Sequence, residues 1–178
     1  MHVIDAHTDA VRRVLAERAA LLARQQEQGE QQRGEELVVF RLGEGRYAIA
    51  ARCVREVHPL RAWTRLPGVP PSIVGLANVR SQLLSVVDIR PLLDMAQTPP
   101  LPGAVALVLH ADGGELALLA DLVEDVRHSD GELLALVSQQ TGRAVAWIRG
   151  IDHARTIVLD AIGLARDPRL VVDADRSA

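Results

Sequence analysis

Lysine is absent from this sequence, and all 20 basic residues are arginines. They face 23 acidic residues, for a formal net charge of −3, and no basic stripe stands out. A nucleic-acid partner is therefore not expected. Aromatic residues are nearly missing too: Phe40, Tyr47, Trp63 and Trp147 are the full set. Four cannot furnish a base-stacking platform or an aromatic ligand cage. A single cysteine, Cys53, excludes an internal disulfide framework. It sits in an apolar run and reads as a small buried hydrophobe, not a nucleophile. No apolar run reaches the roughly 18 residues that a membrane span needs. Acidic and polar residues interrupt the first positions, unlike a signal peptide. The sequence predicts a cytoplasmic protein that inserts in no membrane.

Catalytic groupings are missing as well. No G-x-S-x-G elbow occurs, and LGEGR is too short for a phosphate loop. His2, Asp5, His7 and Asp9 are metal-ligand types, and HVIDAHTD resembles the opening strand of amidohydrolase-like metallopeptidases. Those enzymes need a whole barrel of further ligands. Here His58, His110, His128 and His153 are scattered singly, without zinc-site spacing. No catalytic residue, metal or cofactor is expected. A small metal-dependent hydrolase using the N-terminal His/Asp cluster is the alternative from another class, and metal analysis tests it.

What is present is apolar: 48% of 178 residues, enough for a proper core. Residues 8–24 read as a helix, with Val11, Leu15 and Leu22 on one stripe. The polar, glycine-containing run 25–36 reads as a linker. From Leu37 the texture changes to short apolar runs broken by turns. LVVFRL, GEGR and YAIAARCVREV read as strand, hairpin turn, and strand with a continuation. AVALVLH, ADGG and ELALLADLVEDV repeat that order after the proline-rich connection QTPPLPG.

The spacing repeats too. Gly45 precedes Val57 by as many residues as Gly114 precedes Val126. Asp88 of VVDIRPLL and Asp160 of VLDAIGLA take equivalent places. The chain therefore divides into an arm and linker (1–36), a folded region (37–170) and a tail (171–178). The folded region has a first half at about 37–96 and a second at about 103–165. Each half has the size of a small β-barrel. The expected fold is mainly β, two similar barrels packed together, with an N-terminal helical arm and a short C-terminal helix.

The stretch GLANVRSQLLSVVDIRPLL sets Arg80 in a turn of Arg80, Ser81 and Gln82 between two apolar strands. A charge at such a tip is either an ordinary solvated turn residue or a presented functional one.

In order and spacing, FRLGEGRYAIAARCVREV, LPGVPPSIVGLANVR, LLSVVDIRPLL, ELALLADLVEDV and IRGIDHARTIVLD resemble the CheW-like chemotaxis coupling proteins. The resemblance implies two SH3-like five-stranded barrels and no enzymatic activity. It implies an adaptor between the cytoplasmic tips of methyl-accepting receptors and the regulatory domain of a CheA-type histidine kinase, at receptor arrays near the inner face of the membrane. It pairs Glu56 with Arg80 in receptor coupling and sets Val54 and Gly75 on a receptor-binding groove. It brings Asp121, Val123 and Val126 near the receptor and kinase surfaces. The chain departs from the family at Ser81, where a glycine usually follows the motif arginine, and at Ser85 and Ala120. Serine with positive φ costs about 1 kcal/mol or more, so a locally altered turn is expected. A diverged scaffold that binds only one partner is the alternative within the family.

Overall fold

The computed structural model describes residues 34–111, 114–129, 133–134 and 146–170. The chain divides into two units, Met1–Glu35 and Glu36–Ala178. The arm expected over 8–24, the N-terminal His/Asp cluster and the 171–178 tail lie outside the described residues. No helix among the described residues is long and apolar enough to cross a membrane.

In the second unit the short apolar runs become strands β1 (Glu36–Leu42), β2 (Gly45–Ala50), β3 (Val54–Pro59), β4 (Ile73–Val79) and β5 (Gln82–Val87). After the proline-rich connection come β6 (Val105–Ala111), β7 (Gly114–Ala120), β8 (Leu122–His128), β9 (Ile148–Ile151) and β10 (Ile157–Leu159). A short helix α1 (Ala161–Ala165) follows, started by Asp160, whose side chain accepts from the Ile162 N–H at 3.0 Å. The strands form two five-stranded sheets, ordered β8-β1-β2-β10-β9 and β3-β6-β7-β5-β4.

Strands β1, β2, β6 and β7 are apolar at nearly every position because both of their faces are buried. Phe40, Leu42, Ile49, Leu107, Leu109 and Leu118 enter one large core shared by the two sheets. Their sequence neighbours point the other way. Leu37, Val39 and Ala48 fill one sheet's own interior, and Ala106, Val108 and Leu119 fill the other's. With so few aromatics the packing is mostly aliphatic. Phe40 and Tyr47 are paired across β1 and β2 with ring centroids 5.9 Å apart.

The repeat is visible in the topology. If β1 to β5 correspond to β6, β7, β8, β9 and β10, the two sheet orders coincide. The parallel pairs correspond as well: Val86 faces Ala117, and Val158 faces Ala48. The halves at about 37–96 and 103–165 nevertheless do not each close a sheet. One sheet joins β1 and β2 to β8, β9 and β10, while the other joins β3, β4 and β5 to β6 and β7. What reads in sequence as a strand's continuation is a separate strand in the other sheet. The chain crosses over through a 3-10 turn at Ala51–Cys53 and again at Asp121. This exchange stacks the two central hairpins on one another and buries the second face of each.

A buried ionic group and a partly buried one pin the ends of this arrangement. Arg90, 2% exposed, donates to Asp121 Oδ1 at 2.5 Å, to the Thr98 carbonyl at 3.2 Å and to Asp88 Oδ2 at 3.5 Å. Burial pushes the Asp88 carboxyl above its ordinary range, against the opposing pull of the Arg90 N–H and guanidinium. At the C-terminal end, buried Trp147 donates from Nε1 to Asp167 Oδ2 at 2.8 Å, and Arg169 grips both oxygens of the same carboxylate.

The Arg169 hydrogen bonds are the largest influence on Asp167 and draw its carboxyl from 3.8 to about 2. The folded state thus binds that proton more weakly than the unfolded chain does. Asp167 stabilises the fold fully above about pH 4, and that contribution is lost as pH falls through about 2. Asp88 acts with the opposite sign. Stability measured by urea titration between pH 4 and 2 should fall less steeply in Asp167→Asn than in the parent. Equal slopes would show that this carboxylate does not govern acid unfolding.

Candidate functional site

Strands β4 and β5 are joined by two residues, since Val79 pairs with Gln82. Gln82 therefore belongs to the strand and not to the turn. Arg80 has φ 48° and Ser81 φ 68°. Positive φ at both central positions matches the natural twist of the flanking strands, the usual geometry of a two-residue hairpin. Ser81 keeps the left-handed conformation that a glycine would adopt without strain, so the turn is preserved at a cost instead of rearranged. Ser81→Gly should raise stability by about 0.5–1 kcal/mol, the relief of strain less the greater freedom of glycine in the unfolded chain. Urea denaturation checks this, and a variant no more stable than the parent contradicts it.

Arg80 projects from that turn, and its Nε donates to Glu56 Oε2 at 2.7 Å. The other oxygen of Glu56 takes Arg55 Nη2 at 3.1 Å. Arg55 Nη1 in turn reaches both oxygens of Glu115 at 2.6 Å and Gln82 Oε1 at 3.2 Å. His110 Nδ1 lies 3.9 Å from Glu115. Adjacent residues on a regular strand point to opposite faces, so Arg55 and Glu56 would not meet one carboxylate cluster. A bulge makes it possible. Val54 pairs with Leu109 and Glu56 with Val108, leaving Arg55 as the extra residue. A bulge re-aims the side chain it carries. The result is a shallow pocket of about 390 Å³ lined by Arg55, Glu56, Arg80 and Gln82.

The other residues singled out in the sequence lie elsewhere. Val54, on β3, is half-buried and packs on the shared core, as does Val123 on β8. Gly75 lies in β4, where an added Cβ would come 2.2 Å from the Thr64 carbonyl oxygen. That oxygen and the Thr64 N–H bridge to Leu76 at 2.8 Å each. Asp121 is engaged with Arg90 and accepts the Gly43 N–H at 2.6 Å. Val126 is exposed on β8, in the other sheet. Of the seven, the structure brings Glu56 and Arg80 into direct contact. Arg55, Gln82 and Glu115 were not foreseen. The adjacent charges of VREV were the available signal, and alternation argues against it.

The second half carries the inverse of this cluster. Glu124 is the extra residue of β8 opposite β1, and it pairs with Arg46 at 2.8 Å and Arg41 at 2.5 Å. Glu124 follows Gly114 by the same interval as Arg55 follows Gly45, and Arg46 corresponds to Glu115. The bulge and the bridge are retained with the charges exchanged. The Arg41 hydrogen bond, followed by that of Arg46, holds the Glu124 carboxyl below its ordinary range.

The family model for the CheW-like domain matches residues 36–168. The chemotaxis protein CheW of Rhizobium meliloti (strain 1021) is 30% identical over 93 residues, which cover 52% of this chain and 60% of that protein. The chemotaxis protein CheW of Bacillus subtilis (strain 168) is 28% identical over 93 residues, with the same coverage. The matched segments thus span about three fifths of those relatives' lengths. The scaffolding protein TtCheW from Thermoanaerobacter tengcongensis has the same fold, with a TM-score of 0.65 at 19% identity over 76% of this chain and 90% of its own. The family model covers most of the chain and the solved scaffolding protein shares its fold, and the chain belongs to the CheW-like domain family.

Proposed function

We propose that this chain is a non-catalytic chemosensory coupling adaptor. It links the cytoplasmic tips of methyl-accepting chemotaxis receptors to the regulatory domain of a CheA-type histidine kinase, in arrays at the inner face of the membrane. Family membership supports this reading. The observation that carries it is Arg80, 77% exposed at the tip of a two-residue turn and oriented by Glu56. An exposed ion pair contributes only about 0–1 kcal/mol to stability. Its value lies in presenting a charge in a fixed place. Val126 offers an apolar contact on the other sheet, and Val54, Gly75, Asp121 and Val123 shape the partner surfaces from beneath.

Reconstitution with a receptor cytoplasmic fragment and a CheA-type kinase tests the proposal. The parent should let the receptor fragment change kinase autophosphorylation. Arg80→Ala should melt within about 4 °C of the parent and lose that coupling. A variant that unfolds, or couples as well as the parent, contradicts the role given to Arg80. Co-sedimentation with each partner alone separates an adaptor, which binds both, from a scaffold that binds one.

A further inference from the structure

The pocket at the Arg80 turn has an uneven charge profile. Its carboxylates are recessed: Glu56 and Glu115 are each 14% exposed at the side chain. Its arginines project, Arg55 at 36% and Arg80 at 77%. The four lining residues, Arg55, Glu56, Arg80 and Gln82, are all polar or charged. Such a pocket does not suit an apolar anchor. The two guanidinium groups are drawn together because each takes one oxygen of Glu56, at 3.1 Å and 2.7 Å. A guanidinium has five N–H donors in a planar fork. Arg80 uses only Nε on Glu56, which leaves both of its Nη groups. Arg55 uses Nη1 on Glu115 and Gln82 and one N–H of Nη2 on Glu56, which leaves Nε and the other Nη2 N–H.

We infer that Arg55 and Arg80 together form a grip for a carboxylate side chain on the receptor tip. Glu56 spaces the two arginines. Glu115 acts as a positioning residue, because its two-oxygen contact with Arg55 Nη1 fixes the bulged side chain. Charge complementarity to the two projecting arginines sets the occupant, an acidic residue of the receptor tip entering over the recessed glutamates. The inference rests on the coupling role proposed above and adds Arg55, Glu115 and the chemistry of the contact.

The test is a binding titration of the full chain against a purified receptor cytoplasmic fragment at low and high salt. Arg55→Ala and Arg80→Ala should each weaken binding about tenfold at low salt and flatten its salt dependence. Arg55→Lys keeps the charge without the fork and should fall between Arg55→Ala and the parent. Glu115→Gln should weaken binding in the parent background but add little to Arg55→Ala, a non-additivity that a merely structural role would not produce. Changing the acidic residues of the fragment's tip to amides should abolish the effect of Arg55→Ala. If Arg55→Ala melts early, Arg55→Lys and Glu115→Gln decide the matter. A parent that binds while Arg55→Ala binds with equal affinity and salt dependence overturns the grip and leaves the adaptor reading standing. A parent that binds neither receptor fragment nor kinase domain overturns both.

Discussion

Arg90→Met is expected to destabilise the fold by about 3–5 kcal/mol. The side chain is 2% exposed and lies between Asp88, itself 1% exposed, and Asp121. Methionine fills similar space but removes the guanidinium that pairs with Asp88. It also leaves the Thr98 carbonyl without the donor it now has at 3.2 Å. Domains of this kind hold about 5–15 kcal/mol in total, so the loss is a large share. In urea titration the midpoint should drop with an unchanged slope. The variant should also recover stability as the pH is lowered. The Asp88 carboxyl is already raised by burial, and without Arg90 it rises further. An acid whose folded value is raised destabilises fully above that value, and the penalty fades as pH falls from it toward the unfolded value. Asp88→Asn combined with Arg90→Met should therefore lose less than Arg90→Met alone. A loss under about 1 kcal/mol for Arg90→Met would show that the buried network contributes little.

Gly75→Ala should lose about 2–5 kcal/mol, from backbone strain and overpacking together. Gly75 has φ 151°, and its missing Cβ would sit 2.2 Å from the carbonyl oxygen of Thr64, a residue held to Leu76 by two backbone hydrogen bonds, one of them to that oxygen. That oxygen belongs to backbone and cannot swing aside. Gly150 is the corresponding residue in the second half, with φ 156° and a bridge of Leu134 to Ile151 where Thr64 bridges Leu76. There the nearest backbone atom is 2.8 Å away and a Leu133 side-chain atom 3.0 Å, so Gly150→Ala should lose less. The comparison separates two roles for Gly75. If it serves by letting the Thr64 segment lie against β4, Gly75→Ala lowers the melting temperature and coupling together. If it serves only by giving a partner room, melting is unchanged and coupling alone is lost. A Gly75→Ala variant that melts with the parent would sink the steric account.

Much of the architecture is legible in the residues themselves. GEGR and ADGG mark hairpins, and each central strand has a near-continuous apolar run. The common interval from Gly45 to Val57 and from Gly114 to Val126 reveals the repeat. The pairing of Glu56 with Arg80 came from family resemblance, and the 2.7 Å contact agrees with it. The exchange of β3–β5 and β8–β10 between sheets was not legible. YAIAARCVREV and ELALLADLVEDV run on without a proline or glycine to mark the crossing. Ser81 misled in the other direction. Its propensity argues for an altered turn, yet pairing of the strands on both sides holds it at φ 68°.

The sequence by itself determined the strand pattern, the repeat and the charge that the turn carries, and its resemblance pointed to the class of protein. Hydrophobic pattern, turn chemistry and spacing are local quantities, and each is written in a few adjacent letters. Tertiary structure alone decided which half supplies which sheet, and that Asp121 neutralises Arg90. It also decided that Arg55 turns toward Glu56 and Glu115, the latter 60 positions away. Burial on both faces of a hairpin, and a bulge that one extra residue creates against its neighbour, arise only when strands distant in the chain meet.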